Sequence, residues 1–193
     1  CIAIARATNN PGLLGVTLRN LGVIAYHQQA YDAAYRYCEE GLRILLEIGE
    51  KSNAGFGMIN LGRVVQAMGE KRRALDYFRQ SLTLMHELGH ARGTSFALET
   101  IASLLIYERQ QLAFAARVLG ATETLRQTAN LSQPISGPEA YERSLTELRS
   151  QLSAAELEDA LAEGRTTPLA QIISEALALT MSIARSSTSR RNC

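Results

Sequence analysis

The residues best placed to do chemistry form one string, His86-Glu87-Leu88-Gly89-His90-Ala91-Arg92-Gly93. Two histidines one helical turn apart, with a glutamate after the first, supply the zinc ligands and general base of many metallopeptidases. The glycine three residues after the second histidine opens the version that adds a third histidine. A zinc-dependent hydrolase using His86, Glu87 and His90 is therefore one function class to weigh. Nothing else nucleophilic stands beside it. No His or Asp has a spacing that argues for a Cys-His or Ser-His-Asp site. The three cysteines, Cys1, Cys38 and Cys193, form no Cys-x-x-Cys and no paired spacing. An odd count with two at the ends reads as a reducing compartment, hence the cytoplasm.

The totals narrow the classes further. A chain of 193 residues can bury one good-sized core or build a short array of repeats. Hydrophobic residues make up 46% and charged residues 20%, a globular balance. The net charge of +1 gives no electrostatic case for direct nucleic-acid binding. No apolar run approaches the roughly 18–20 residues that cross a bilayer. No Gly-x-x-x-x-Gly-Lys-Ser/Thr loop is present to cradle phosphates, and no cofactor is implied. The chain opens at Cys1 inside an apolar helical pattern (Ile2, Ala3, Ile4, Ala5) and reads as a piece of something longer.

Internal repetition decides the fold. Asn20-Leu21-Gly22 lies over Asn60-Leu61-Gly62 at an offset of 40. At the same offset Ala34 falls on Ala74, Tyr37 on Tyr77, Leu42 on Leu82, Glu47 on Glu87 and Gly49 on Gly89. A third copy places Ile101-Ala102 over Leu61-Gly62. Its later half, Ala115 to Leu119, fits with no gap or with one inserted residue. Cys1 to about Ala7 is the end of a truncated copy. Each copy reads as two helices, in the second case Ala54–Met68 and Lys71–Leu88, with apolar residues recurring at three and four. Gly69 suits the turn between them, where Gln28-Gln29 stand in the first copy. Gly22, Gly62 and Ala102 admit a close second helix, and Ala34 and Ala74 offer the matching small surface. Such hairpins cannot bury their apolar faces alone and must stack.

Leu21-Gly22, Ala34 and Leu42, then Leu61-Gly62, Ala74, Phe78 and Leu82, make this pattern resemble the tetratricopeptide repeat. The joints "EIGEKSNAG" and "ELGHARGTS", with a unit near 40, are similar to the long-repeat, maltose-regulator-like variety in bacterial signalling ATPases. The resemblance implies an all-α, tetratricopeptide-like helical-hairpin solenoid over residues 1–129. It implies an interaction module, not an enzyme.

The register also tests the zinc string. His86-Glu87-Leu88-Gly89-His90 falls on Leu46-Glu47-Ile48-Gly49-Glu50, which has neither histidine. Gly89 is placed to end a helix, which would swing His90 off the face of His86. The position for a third histidine is Phe96. The expected role is a helix end with His86 near the last carbonyls, and no metal or catalytic residue is assigned.

After residue 129 the repeat fades. Ser132 to Pro138 is turn-rich. Glu139–Gln151 reads as a helix with Tyr141, Leu145 and Leu148 on one side. Ser153 and Glu156 form a capping box that starts a helix through about Glu163, with Gly164 as its stop. Thr167-Pro168 begins a last helix to about Ala184. Residues 130–185 are thus expected to be capping helices and 186–193 a flexible tail. The segments 117–127 and 141–177 resemble the C-terminal end of the repeat region in large bacterial regulators. Those join a STAND-class ATPase to tetratricopeptide repeats, and often to a LuxR-type DNA-binding domain. The resemblance implies a sensor or scaffold arm of a signalling or transcriptional regulator.

The first helix of each repeat lines the inner groove of such a solenoid. By register the groove residues are Arg19, Tyr26, Ile59, Arg63, Gln66, Glu99 and Tyr107, flanked by Val23, Phe56 and Ser103. That mixture suits a protein or peptide partner, or a small-molecule inducer. Arg19, Asn60 and Arg63 could hold a carboxylate. Cys38 stands in register with Phe78 and is expected to be a buried structural thiol.

Overall fold

The computed structural model describes residues 9–189, and for residues 184–189 the backbone alone. The truncated copy before Asn9 and the last four residues lie outside the described residues. Among the described residues there are nine helices and no strand. They are α1 (Pro11–His27), α2 (Tyr31–Glu47), α3 (Lys51–Ala67), α4 (Lys71–Glu87), α5 (Ala91–Tyr107), α6 (Leu112–Thr128), α7 (Pro138–Gln151), α8 (Ala154–Thr166) and α9 (Leu169–Ser189). The all-α, helical-hairpin fold expected from the forty-residue register is the fold observed.

The period is in fact twenty residues of backbone. Helices α1 to α6 are each 17 residues long. A left-handed residue follows at Gln29, Gly49, Gly69, Gly89 and Arg109, with φ between 52° and 86°. The bonding at four of these joints has one pattern. After α1 the Gln29 N–H donates to the Tyr26 carbonyl and the Ala30 N–H to the Ala25 carbonyl, each at 2.9 Å. Gly49 and Glu50, Gly69 and Glu70, and Arg109 and Gln110 repeat it. This satisfies carbonyls that a helix end leaves bare. At the first two glycine joints the residue that closes one helix, Glu50 or Glu70, is also the N-cap of the next. That is why α3 begins at Lys51, three residues before the start predicted from apolar spacing.

The third copy carries one inserted residue. Helix α6 begins at Leu112, not 111, and both Arg109 and Gln111 are left-handed. Every later position of that copy is shifted by one.

The described chain divides into two compact units, at Leu88 and Gly89. The division comes one hairpin before the expected end of the repeats near residue 129. In the first unit small residues set the helix spacing. A Cβ on Gly22 would overlap the Cys38 sulfur, and one on Gly62 would overlap the Phe78 ring. Cys38 and Phe78 are both fully buried, as their shared register implies. At the other crossing a Cβ on Gly41 would sit 2.9 Å from the Gly15 carbonyl oxygen. The second hairpin replaces that pair with Gly55 and Ser81, whose hydroxyl donates to the Gly55 carbonyl at 2.9 Å in a buried bond. Helix α3 packs on α2 through a shared core of Ala34, Cys38, Leu42, Leu45, Ala54, Leu61 and Val64.

In the second unit α8 lies across α6. A Cβ on Gly120 would overlap the Leu161 carbonyl, and one on Gly164 the Arg117 carbonyl. Gly164 is therefore a crossing point inside α8 and not its stop. The capping box of Ser153 and Glu156 forms as expected. Thr167 serves α8 rather than α9, since it is the C-cap and its hydroxyl donates to the Glu163 carbonyl at 2.7 Å. Tyr141 and Leu148 anchor α7, with Leu145 only partly buried. Helix α9 continues to Ser189, so helical backbone enters the stretch expected as a tail.

Two glycines separate the roles of close approach and left-handed backbone. Gly164→Ala should cost about 3 kcal/mol, because backbone must part to admit the methyl. Gly69→Ala has open space and strains φ alone, for about 1 kcal/mol. Urea midpoints for the two variants measure the difference; equal losses would refute the crossing.

Candidate functional site

Helices α1 and α3 bring Arg19, Tyr26, Arg63 and Gln66 onto the first unit, all partly buried. The Arg19 Nη1 donates to Asn53 Oδ1 at 3.1 Å and Nη2 to Asn20 Oδ1 at 3.2 Å. Its guanidinium carbon lies 5.9 Å from the Phe56 ring centre. The Arg63 guanidinium lies over the Tyr26 ring at 4.8 Å. Among the described residues neither cation pairs with a carboxylate; Arg19 is held by two neutral amides and the Phe56 face, and Arg63 by the Tyr26 face. Burial lowers the Arg19 guanidinium from its ordinary value, and the nearby Cys38 thiol acts the other way. Burial in turn pushes the Cys38 thiol up to about 11, so at neutral pH it is protonated and unreactive.

A crevice of about 180 Å³ runs between Arg63, Tyr26, Asn60 and Val23, with Cys38 at its floor. It is too narrow for a water molecule. This face offers a surface, not a ligand cavity. A roomier cleft of about 670 Å³ in the second unit is lined, among the described residues, by Gln110, Gln111, Leu179, Ser182 and Ile183.

Two of the expected groove residues are elsewhere. Ile59 is fully buried, because its place on α3 belongs to the core. Glu99 is 3% exposed and sits inside the second unit. Its Oε1 accepts from Ser95 Oγ at 2.9 Å and from Arg126 Nη1 at 3.0 Å. Its Oε2 accepts the Ser136 N–H at 2.9 Å. The same Arg126 nitrogen donates to Thr122 Oγ1 at 3.2 Å, and the guanidinium covers the Tyr141 ring at 4.8 Å. The Tyr141 hydroxyl donates to Glu123 Oε1 at 2.8 Å. Burial and the Glu123 carboxylate together raise its pKa. Glu99 thus ties the loop before α7 to α5 and α6. Tyr107 is 74% exposed at the end of α5.

The Glu99–Arg126 pair was missed, although the register carries a signal for it. With the inserted residue counted, Glu99 stands at Ile59 and Arg126 at Met85. Opposite charges replace two core positions of the second copy together. Only the insertion, one of two alignments the sequence left open, brings Arg126 into that register.

The zinc string is split by a joint. His86 lies in the last turn of α4. Gly89 is left-handed, at φ 62°. His90 is the N-cap of α5, and its Nδ1 accepts the Gly93 N–H at 3.0 Å. A capping role thus occupies one ring nitrogen of His90. No group of three metal-ligating side chains is found among the described residues.

Residues 13–87 match the tetratricopeptide repeat family model, and this stretch is a tetratricopeptide-like region. Repeats of this kind generally mediate protein–protein interaction. No curated protein and no solved structure matches the chain. Among the described residues no helix is long and apolar enough to cross a membrane.

Two substitutions test these assignments. Glu99→Ala strands a buried guanidinium and should destabilise the protein by about 3–5 kcal/mol. Glu99→Ile with Arg126→Met, the pair at the second copy's register, should recover most of that loss, as chemical unfolding would show. At the joint, His90→Ala should cost about 1 kcal/mol for the lost cap. His86→Ala should stay within about 0.5 kcal/mol, as expected of an exposed site. Equal losses that vanish in chelator would mark a metal site instead.

Proposed function

We propose that this chain is the protein-interaction arm of a cytoplasmic bacterial signalling or transcriptional regulator, and that it binds its partner on the α1–α3 face. The observation that carries this reading is the pair of guanidiniums at Arg19 and Arg63. Each is preorganised against a ring, Phe56 or Tyr26, and neither is neutralised by a carboxylate among the described residues. Such a face favours an acidic segment, since an incoming carboxylate meets cations already oriented and partly desolvated. Tyr26 and Val23 beside them supply the apolar contact that an interface centre needs. The tetratricopeptide-like match over residues 13–87 supports an interaction role for the same helices. The narrow crevice favours a protein or peptide over a small-molecule inducer on this face. The regulator context rests on the resemblance of residues 117–127 and 141–177.

Partners captured by the wild-type chain should be lost, or weakened at least tenfold, by Arg19→Glu with Arg63→Glu; tenfold corresponds to about 1.4 kcal/mol. Affinity should fall as salt rises from low to physiological ionic strength. Capture by the double variant equal to wild type would remove this face from the function.

A further inference from the structure

Helix α7 is attached differently from the helices on either side of it. Of its 14 residues only Tyr141 and Leu148 are buried. The 13-residue α8 buries Leu157, Ala160, Leu161 and Gly164, and it reaches α6 backbone to backbone at Gly120 and Gly164. Helix α8, and not α7, therefore closes the α5–α6 hairpin. Helix α7 also supports itself. Its Arg149 pairs with Glu142, and the Gln151 amide donates to Glu147 one turn back, each at 2.6 Å. Both of its ends are non-helical. Gly137 before it has φ 94° and Leu152 after it is extended, so rotation at two residues moves α7 as a body.

The groups that tie α7 and its leading loop down are charged. The Ser136 N–H donates to Glu99, the Tyr141 hydroxyl donates to Glu123, and the Arg126 guanidinium covers the Tyr141 ring. Glu99 and Arg126 stand where the second copy packs Ile59 and Met85. A surface that stays covered is best made of apolar side chains, whereas one that is uncovered at intervals must also meet water. The surface beneath the loop and Tyr141 is of the second kind. We propose that α7 is a releasable strap, and that the α5–α6 surface it covers receives an amphipathic helix with α7's own pattern, an aromatic residue followed by leucines at steps of four and three. Tyr141, Leu145 and Leu148 set that pattern on one face of the helix. The occupant seen is α7 itself; a partner's helix would take its place. Neither Arg19 nor Arg63 takes part, so the inference stands whether or not the α1–α3 face has a partner.

Amide hydrogen exchange on the wild-type chain tests the release. The amides of α7 should exchange at least tenfold faster than those of α6 and α8, because the strap opens without the hairpin. Equal protection of all three helices would make them one cooperative unit and overturn the inference. A labelled peptide with the sequence of residues 134–151, read by fluorescence anisotropy, tests the surface. The wild-type chain holds its own strap at high effective concentration and should bind the peptide weakly. Tyr141→Ala in the chain loosens the strap and should tighten peptide binding at least tenfold; Leu148→Ala in the chain is the second variant and should do the same. Tyr141→Ala placed in the peptide should abolish binding. Arg63→Glu added to the Tyr141→Ala chain should leave binding within twofold. Three peptide results would overturn the inference. One is no saturable binding to either loosened chain. Another is equal binding by the wild-type and loosened chains. The third is loss of binding with Arg63→Glu, which would place the peptide on the α1–α3 face.

Discussion

A helix of 17 residues closed by one left-handed residue is the constraint on which the repeat region rests. The joint sends two N–H groups back to the helix it ends and holds the first residues of the helix it starts. Three residues of connection leave an antiparallel hairpin as the natural outcome. The constraint lies in the backbone, which explains why the side chain at the left-handed position varies. Glycine serves at 49, 69 and 89, while Gln29 and Arg109 accept a conformation that costs an L-residue about 1–2 kcal/mol. Their neighbours bond as well as those of the glycines, so packing overrides local preference there.

Within the hairpins the spacing depends on what stands opposite a small residue. Gly22 and Gly62 lie beneath Cys38 and Phe78, a small and a large filler of the same site. Gly15 and Gly41 bring two backbones together, and Gly55 with Ser81 does so through a hydroxyl. The third hairpin solves the same positions with charge. Glu99 and Arg126 stand where the second copy packs Ile59 and Met85, and their hydrogen bonds reach the loop that leads into α7. A buried pair adds little stability over an apolar one. It does fix where that loop attaches, because the Ser136 N–H donates to Glu99 Oε2.

These choices shape the surface left for function. Burial of Ile59 leaves Arg19, Tyr26, Arg63 and Gln66 as the partly buried residues of the proposed α1–α3 face. The two arginines are held by groups that do not cancel their charge, a condition that surface ion pairs elsewhere on the chain do not share. Arg43 with Glu47 and Arg165 with Glu158 are neutralised where they stand.

The sequence alone determined the fold class, the hairpin unit, the joint glycines and the buried Cys38, because a repeated backbone repeats its residue types at the forty-residue offset, and the cap at Ser153, because its partner Glu156 lies within one helical turn. It also reduced His86 to His90 to a joint, since an aligned copy lacking both histidines needs no coordinates. What only the tertiary structure decided involves contact between distant residues. Gly164 looked like a helix stop because glycine signals both an end and a crossing; the Arg117 carbonyl opposite it selects the crossing. Glu99 looked like a groove residue because the repeat register places it on the first helix of its copy. Arg126, 27 residues away and displaced by one inserted residue, draws it inside.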